Sequence, residues 1–123
     1  MIFRFESPEA HGLDHLPLAA RRALDRAGLK LGLAAWTALP LATRERLVAL
    51  GAEETVDEDA VKALLAGAAF QEIRPRPEPA RPADVGAEDW AGLTPLGRFA
   101  VAHHARKGRA AMVRRAIAVL LHS

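Results

Sequence analysis

The chain has no cysteine. That excludes a disulfide framework, a thiol nucleophile and any thiolate-held zinc or iron–sulfur centre. Serine occurs only at Ser7 and Ser123, which leaves serine-nucleophile chemistry with almost no candidate. Asparagine is absent and Gln71 is the single glutamine, so the side chains that pair with adenine in a DNA groove are scarce. The glycines stand singly and no Gly-Lys-Ser/Thr sequence occurs, so there is no phosphate-cradling loop. Apolar runs fall well short of the roughly 20 residues of a membrane span. No apolar stretch follows the charged opening Met1-Ile2-Phe3-Arg4-Phe5-Glu6, so no signal peptide is expected and the expected compartment is the cytoplasm.

Aromatic residues make up only 5% of the 123 positions, although 50% are hydrophobic. The apolar half is therefore mostly small side chains, which favour closely packed helices over a sheet of branched and aromatic residues. At this length folding buries about two-thirds of the unfolded surface, so the core is thin. The expectation is one small all-α domain over residues 1–123. Acidic residues run out after Asp89, while Arg98, Arg106, Lys107, Arg109, Arg114 and Arg115 follow it. Such an end either seeks an anionic partner or is balanced by the acidic stretch Glu53, Glu54, Asp57, Glu58 and Asp59.

Phe3 and Phe5 alternate with Arg4 and Glu6, which predicts a short extended arm with docked rings. A helix is predicted over Pro17–Ala27, with Gly28 as its terminator. Its apolar stripe is Leu16, Ala20, Leu24 and Ala27, and Arg21, Arg22, Asp25 and Arg26 face outward. Leu33–Leu39 and Leu41–Leu50 read as two helices meeting at Pro40, with Gly32 as N-cap and Gly51 as terminator. Thr55-Val56-Asp57-Glu58 has the pattern of a capping box before a helix whose apolar face is Ala60, Val61, Leu64, Leu65 and Ala68. Residues 74–84 hold Pro75, Pro77, Pro79 and Pro82, which predicts a stiff extended connector. A short helix at 87–93, one starting at Thr94-Pro95 and stopping at Gly108, and a last one over 109–121 complete the reading. The last buries Val113, Ala116, Ile117, Leu120 and Leu121.

Two segments match at an offset of 54 residues. Gly32, Trp36, Leu39, Arg44 and Leu47 align with Gly86, Trp90, Leu93, Arg98 and Val101. Each unit, about 31–50 and about 85–107, reads as short helix, corner and longer helix. The indole N–H is expected to reach a carbonyl at the corner, and the arginine to reach carbonyls ending the first helix. The two units are expected to pair, since each alone has little apolar surface.

Leu16-Pro17-Leu18, Arg22-Ala23-Leu24-Asp25, Gly28-Leu29-Lys30-Leu31, Trp36, Arg44–Val48 and Trp90–Val101 together resemble the nitrate reductase-associated protein family. Leu93-Thr94-Pro95-Leu96-Gly97-Arg98-Phe99-Ala100 is similar to its second-repeat motif, and Phe3-Arg4-Phe5-Glu6 fits its aromatic start. The resemblance, over about Phe3–Ala105, implies an accessory role for molybdenum-dependent nitrate reductase, and it implies no catalytic residues. His15 and Ala52 stand about where many members carry cysteine, and Gly108-Arg109-Ala110-Ala111 replaces the usual polar ending.

Few constellations point to chemistry. His11 and His15, and the adjacent His103 and His104, lack the spacing of a zinc set. The carboxylates crowd one helix start, where anions suit the dipole. No metal or other cofactor is expected. The expected function is that of a non-catalytic accessory protein binding nitrate reductase or a maturation factor, with Arg106, Lys107, Arg109, Arg114 and Arg115 as partner contacts. The alternative is a helix-turn-helix-like nucleic-acid binder using the same basic end.

Overall fold

The computed structural model describes residues 2, 3 and 5–122, so Arg4 of the opening alternation lies outside the described residues. The element order is α1 (Pro8–His11), α2 (Leu18–Ala27), β1 (Leu29–Lys30), α3 (Leu33–Ala38), α4 (Leu41–Ala52), α5 (Glu58–Leu64), β2 (Gln71–Glu72), α6 (Ala87–Gly92), α7 (Pro95–Arg106) and α8 (Ala110–His122). The architecture is all-α apart from one antiparallel strand pair, Leu29 with Glu72 and Lys30 with Gln71. The chain forms two compact units, Met1–Pro77 and Glu78–Ser123.

In the first unit α2 is the central element, packed by α4 and α5. Beside Leu18, Leu24 and Arg22, most of its buried positions are alanine: Ala19, Ala20, Ala23 and Ala27. Side chains this small let another backbone come close, and α4 does so at Gly51. A Cβ built on Gly51 would lie 1.6 Å from the Ala19 carbonyl oxygen. Gly51 therefore lies within α4, which runs on to Ala52, and does not terminate the helix. The glycine is required by the crossing of two helices.

The outward placement expected for Arg22 is wrong. Arg22 is completely buried. Its Nη1 donates to the Gly51 carbonyl at 2.8 Å and to that of Glu53, and its Nη2 donates to the Glu54 carbonyl at 2.9 Å. These carbonyls are at and just beyond the end of α4, where helix acceptors lack intrahelical partners and the dipole favours a cation.

The N-terminus of α2 is capped from elsewhere in the chain. Pro17 offers no side-chain acceptor there. Glu6 supplies one instead: Oε1 accepts from the Leu18 N–H at 2.7 Å and Oε2 from the Phe3 N–H at 2.8 Å. Phe3 and Phe5 are buried and stacked, with centroids 4.9 Å apart. The rings dock as expected, but the segment turns back, with the Glu6 N–H donating to the Phe3 carbonyl at 3.0 Å.

Gly28 ends α2 in the left-handed region, at φ 75°. The cap of α5 is Asp57, whose side chain accepts from the Ala60 N–H at 3.0 Å; Thr55 is not the cap. Val61 and Leu65 form the buried face of α5. The proline-rich stretch carries no helix or strand after Glu72. Its first residues are nonetheless pinned: the Ile73 N–H donates to the Gly28 carbonyl and the Arg76 N–H to the Asp25 carbonyl, both at 2.8 Å.

The second unit is built on α7 and α8, with α6 also contacting α8. Thr94 caps α7, its hydroxyl accepting from the Gly97 N–H at 3.0 Å, and Pro95 occupies the first turn. The turn to α8 passes through Gly108 at φ 68°. Val85, Leu93, Leu96, Phe99, Val101, Val113 and Ala116 are buried. Ile117, Leu120 and Leu121 are only partly buried, less than the sequence pattern implied.

Candidate functional site

Among the described residues no helix is long and apolar enough to cross a membrane, and no cluster of three or more metal-ligating side chains forms. Among the described residues, one surface concavity in each unit is lined by charged groups.

The larger lies in the first unit, with a volume of about 500 Å³, between the C-terminal half of α2, β1 and the segment 73–77. Its floor is apolar, from Leu16, Leu24, Leu29, Leu31 and Ile73, and its rim carries Arg21, Lys30, Arg74 and Arg76 against the one carboxylate of Asp25. The pinned backbone at Ile73 and Arg76 holds one wall, and Arg26 adds a bond from Nη1 to the Arg76 carbonyl at 2.9 Å. The sequence alone placed Arg21 on an outward helix face but marked none of these cations as a binding site. For Arg74 and Arg76 the signal was arginine alternating with proline at 74–77, and the groove exists because that stretch folds back on Gly28.

The second concavity, about 380 Å³, lies within the second unit, between the residues before α6 and the α7–α8 turn. Of the five expected partner contacts it brings together Arg109 and Arg114, beside Asp84 and Val85. Arg106, Lys107 and Arg115 do not line it, and all five side chains are exposed. His104 is buried nearby in sequence. Burial holds its pKa below the ordinary 6.5, and the Arg109 charge adds to that shift. His103 stacks on Phe99, with centroids 6.3 Å apart.

The two tryptophan corners share their local backbone. Gly32 and Gly86 are extended N-caps, a six-residue helix follows each, Leu39 and Leu93 are extended at the corner, and a twelve-residue helix comes next. Leu39, Leu47, Leu93 and Val101 are all buried. The tryptophans differ. Trp36 is completely buried, and its Nε1 donates to the Leu13 carbonyl at 2.9 Å. Arg44 Nη1 donates to that same oxygen at 2.9 Å. The acceptor therefore lies in the loop between α1 and α2 and not at the corner. Leu13 has φ 63°, a conformation that side chains beyond glycine rarely adopt; its burial and these two donors hold it there. Trp90 is partly exposed. Arg98 behaves as the sequence implied: Nε donates to the Trp90 carbonyl at 2.9 Å and Nη2 to that of Ala91 at 3.3 Å, with the guanidinium 5.7 Å from the indole centroid.

No curated protein and no solved structure matches the chain significantly. A family model does match, over residues 2–82, and its description is conserved nitrate reductase-associated protein. The match takes in the buried Trp36 corner, the Leu13 loop and the first-unit groove. It ends before Leu93–Ala100, so the similarity read at that segment lies outside it. With about two-thirds of its length covered, the chain belongs to the nitrate reductase-associated protein family.

Proposed function

We propose that the chain is a non-catalytic accessory protein that works by binding a larger protein, with nitrate reductase or a factor in its maturation as the client. The observation that carries this reading is the family match, whose description names an association with a reductase and not a reductase. In this reading Arg106, Lys107, Arg109, Arg114 and Arg115, all exposed around the α7–α8 turn, supply the first electrostatic contact. Exposed cations of this kind act mainly on encounter rate and salt dependence. They would serve phosphates equally well, so duplex DNA belongs in the same experiment.

The test is recovery of the tagged full chain from its native host in low salt, with retained proteins identified by mass spectrometry. Nitrate reductase or an assembly factor, eluted by added salt, is the expected result. Retention of neither overturns the client assignment. A salt-sensitive shift of duplex DNA, with no reductase retained, replaces it with the nucleic-acid reading.

A further inference from the structure

We propose that the groove of the first unit is a docking site for an extended acidic segment of a partner protein, one with apolar side chains interspersed among its carboxylates. The inference concerns a surface other than the five cations above, and it does not depend on nitrate reductase being the client.

Charge supports it first. Four basic side chains, Arg21, Lys30, Arg74 and Arg76, surround one carboxylate, Asp25. Among the described residues the side chains of Lys30, Arg74 and Arg76 form no ion pair or hydrogen bond. Like charges gathered at one concavity repel, and an anionic occupant relieves that repulsion. The position of the cations decides which anion fits. They stand on three separate elements, α2, β1 and the segment 73–77, so they suit several carboxylates spread along a chain. A single small anion would leave most of Lys30, Arg74 and Arg76 without a partner.

The floor supports it second. Leu24, Leu29 and Leu31 are buried at the base of the groove, with Leu16 and Ile73 partly so. Inorganic anions gain nothing from such a surface, whereas the apolar residues of a peptide do. Recognition would run through side chains, because Pro75 and Pro77 have no N–H to offer a new strand. The wall is also fixed before anything binds. Bonds from Ile73 to Gly28 and from Arg76 to Asp25 hold its backbone. A Cβ on Gly28 would meet the Ile73 carbonyl at 2.8 Å, so the segment lies directly on the helix end. Preset walls reduce the ordering lost on binding.

The experiment is fluorescence anisotropy of the full chain with a labelled peptide of about eight residues alternating leucine and glutamate. Two controls replace the glutamates by lysine, or the leucines by glycine. Binding of the leucine–glutamate peptide is expected, weakened when salt is raised from about 50 to about 300 mM. The Arg74→Ala/Arg76→Ala variant is expected to bind about five-fold more weakly. Both side chains are exposed, and unchanged far-UV circular dichroism checks the fold. Amide shifts in an NMR titration are expected at Leu29, Lys30, Leu31, Ile73, Arg74 and Arg76. Equal affinity for the lysine peptide, no binding, self-association through the groove, or shifts confined to 106–115 would each overturn the proposal. Reductase recovery without peptide binding would sink the groove and leave the accessory role standing.

Discussion

Replacing Gly51 by alanine should destabilise the first unit strongly, although ordinary helix propensity says the opposite. Inside a helix that exchange gains about 1 kcal/mol. Here the new Cβ would fall 1.6 Å from the Ala19 carbonyl oxygen, and real Cβ atoms do not approach closer than 3.0 Å. The helices α2 and α4 must open by about 1.4 Å at that point. A gap of 0.5–1 Å already forfeits a quarter to a half of the dispersion well, and overpacked cores lose about 1–3 kcal/mol. The bond from Arg22 to the Gly51 carbonyl, now 2.8 Å, would stretch beyond hydrogen-bonding range, at about 1.5–3 kcal/mol for a charged donor. After the propensity gain the net loss is about 1.5–5 kcal/mol, a large share of a small unit's stability. Urea titration followed by Trp36 fluorescence, in a Trp90→Phe background, measures it. Gly32→Ala is the control: nothing lies within 4 Å of its Cβ position and φ is −71°, so it should cost under about 1 kcal/mol. A Gly51→Ala protein as stable as the parent would refute the close crossing.

Arg22→Met leaves the carbonyls of Gly51, Glu53 and Glu54 without their donor and should cost about 3 kcal/mol or more by urea titration. Because it shares the Gly51 carbonyl with Gly51→Ala, the double variant should lose less than the sum of the two. Thr94→Ala removes the α7 cap and should cost about 1 kcal/mol; no measurable loss would show that the cap is dispensable. His104 contributes a pH dependence whose sign follows from its lowered pKa. The unfolded chain takes up the proton first, so this stability is full above pH 6.5 and is lost as pH falls from there through the folded pKa. His104→Leu should flatten that acid-side slope in thermal melts at a series of pH values, and an unchanged slope would assign it to another group.

What the sequence made legible was local. Gly28 and Gly108 end helices in the left-handed region, Thr94-Pro95 starts one, and the two tryptophan corners are six- and twelve-residue helices about an extended residue. Each depends on residues a few positions apart. Features set by distant partners were not legible. The acceptors of Arg22 lie 29 to 32 residues away, so its side chain read as one more surface cation. Gly51 read as a helix stop because Ala19, the reason for it, belongs to another helix. Thr55 and Asp57 are both good caps, and only the helix start at Glu58 separates them. The candidate groove was hidden for the same reason. Arg74 and Arg76 belonged to a stretch that reads as a stiff extended connector, and the bonds to Asp25 and Gly28 that fix it cannot be read from composition. The corner arginines show both cases: Arg98 serves its own corner, whereas Arg44 serves a loop 31 residues away.

The accessory role is tested most directly by nitrate reductase activity per amount of reductase protein, measured in the native host with this chain deleted and then restored. Activity is expected to fall on deletion and to return with the parent chain. Unchanged specific activity in the deletion strain would contradict the account.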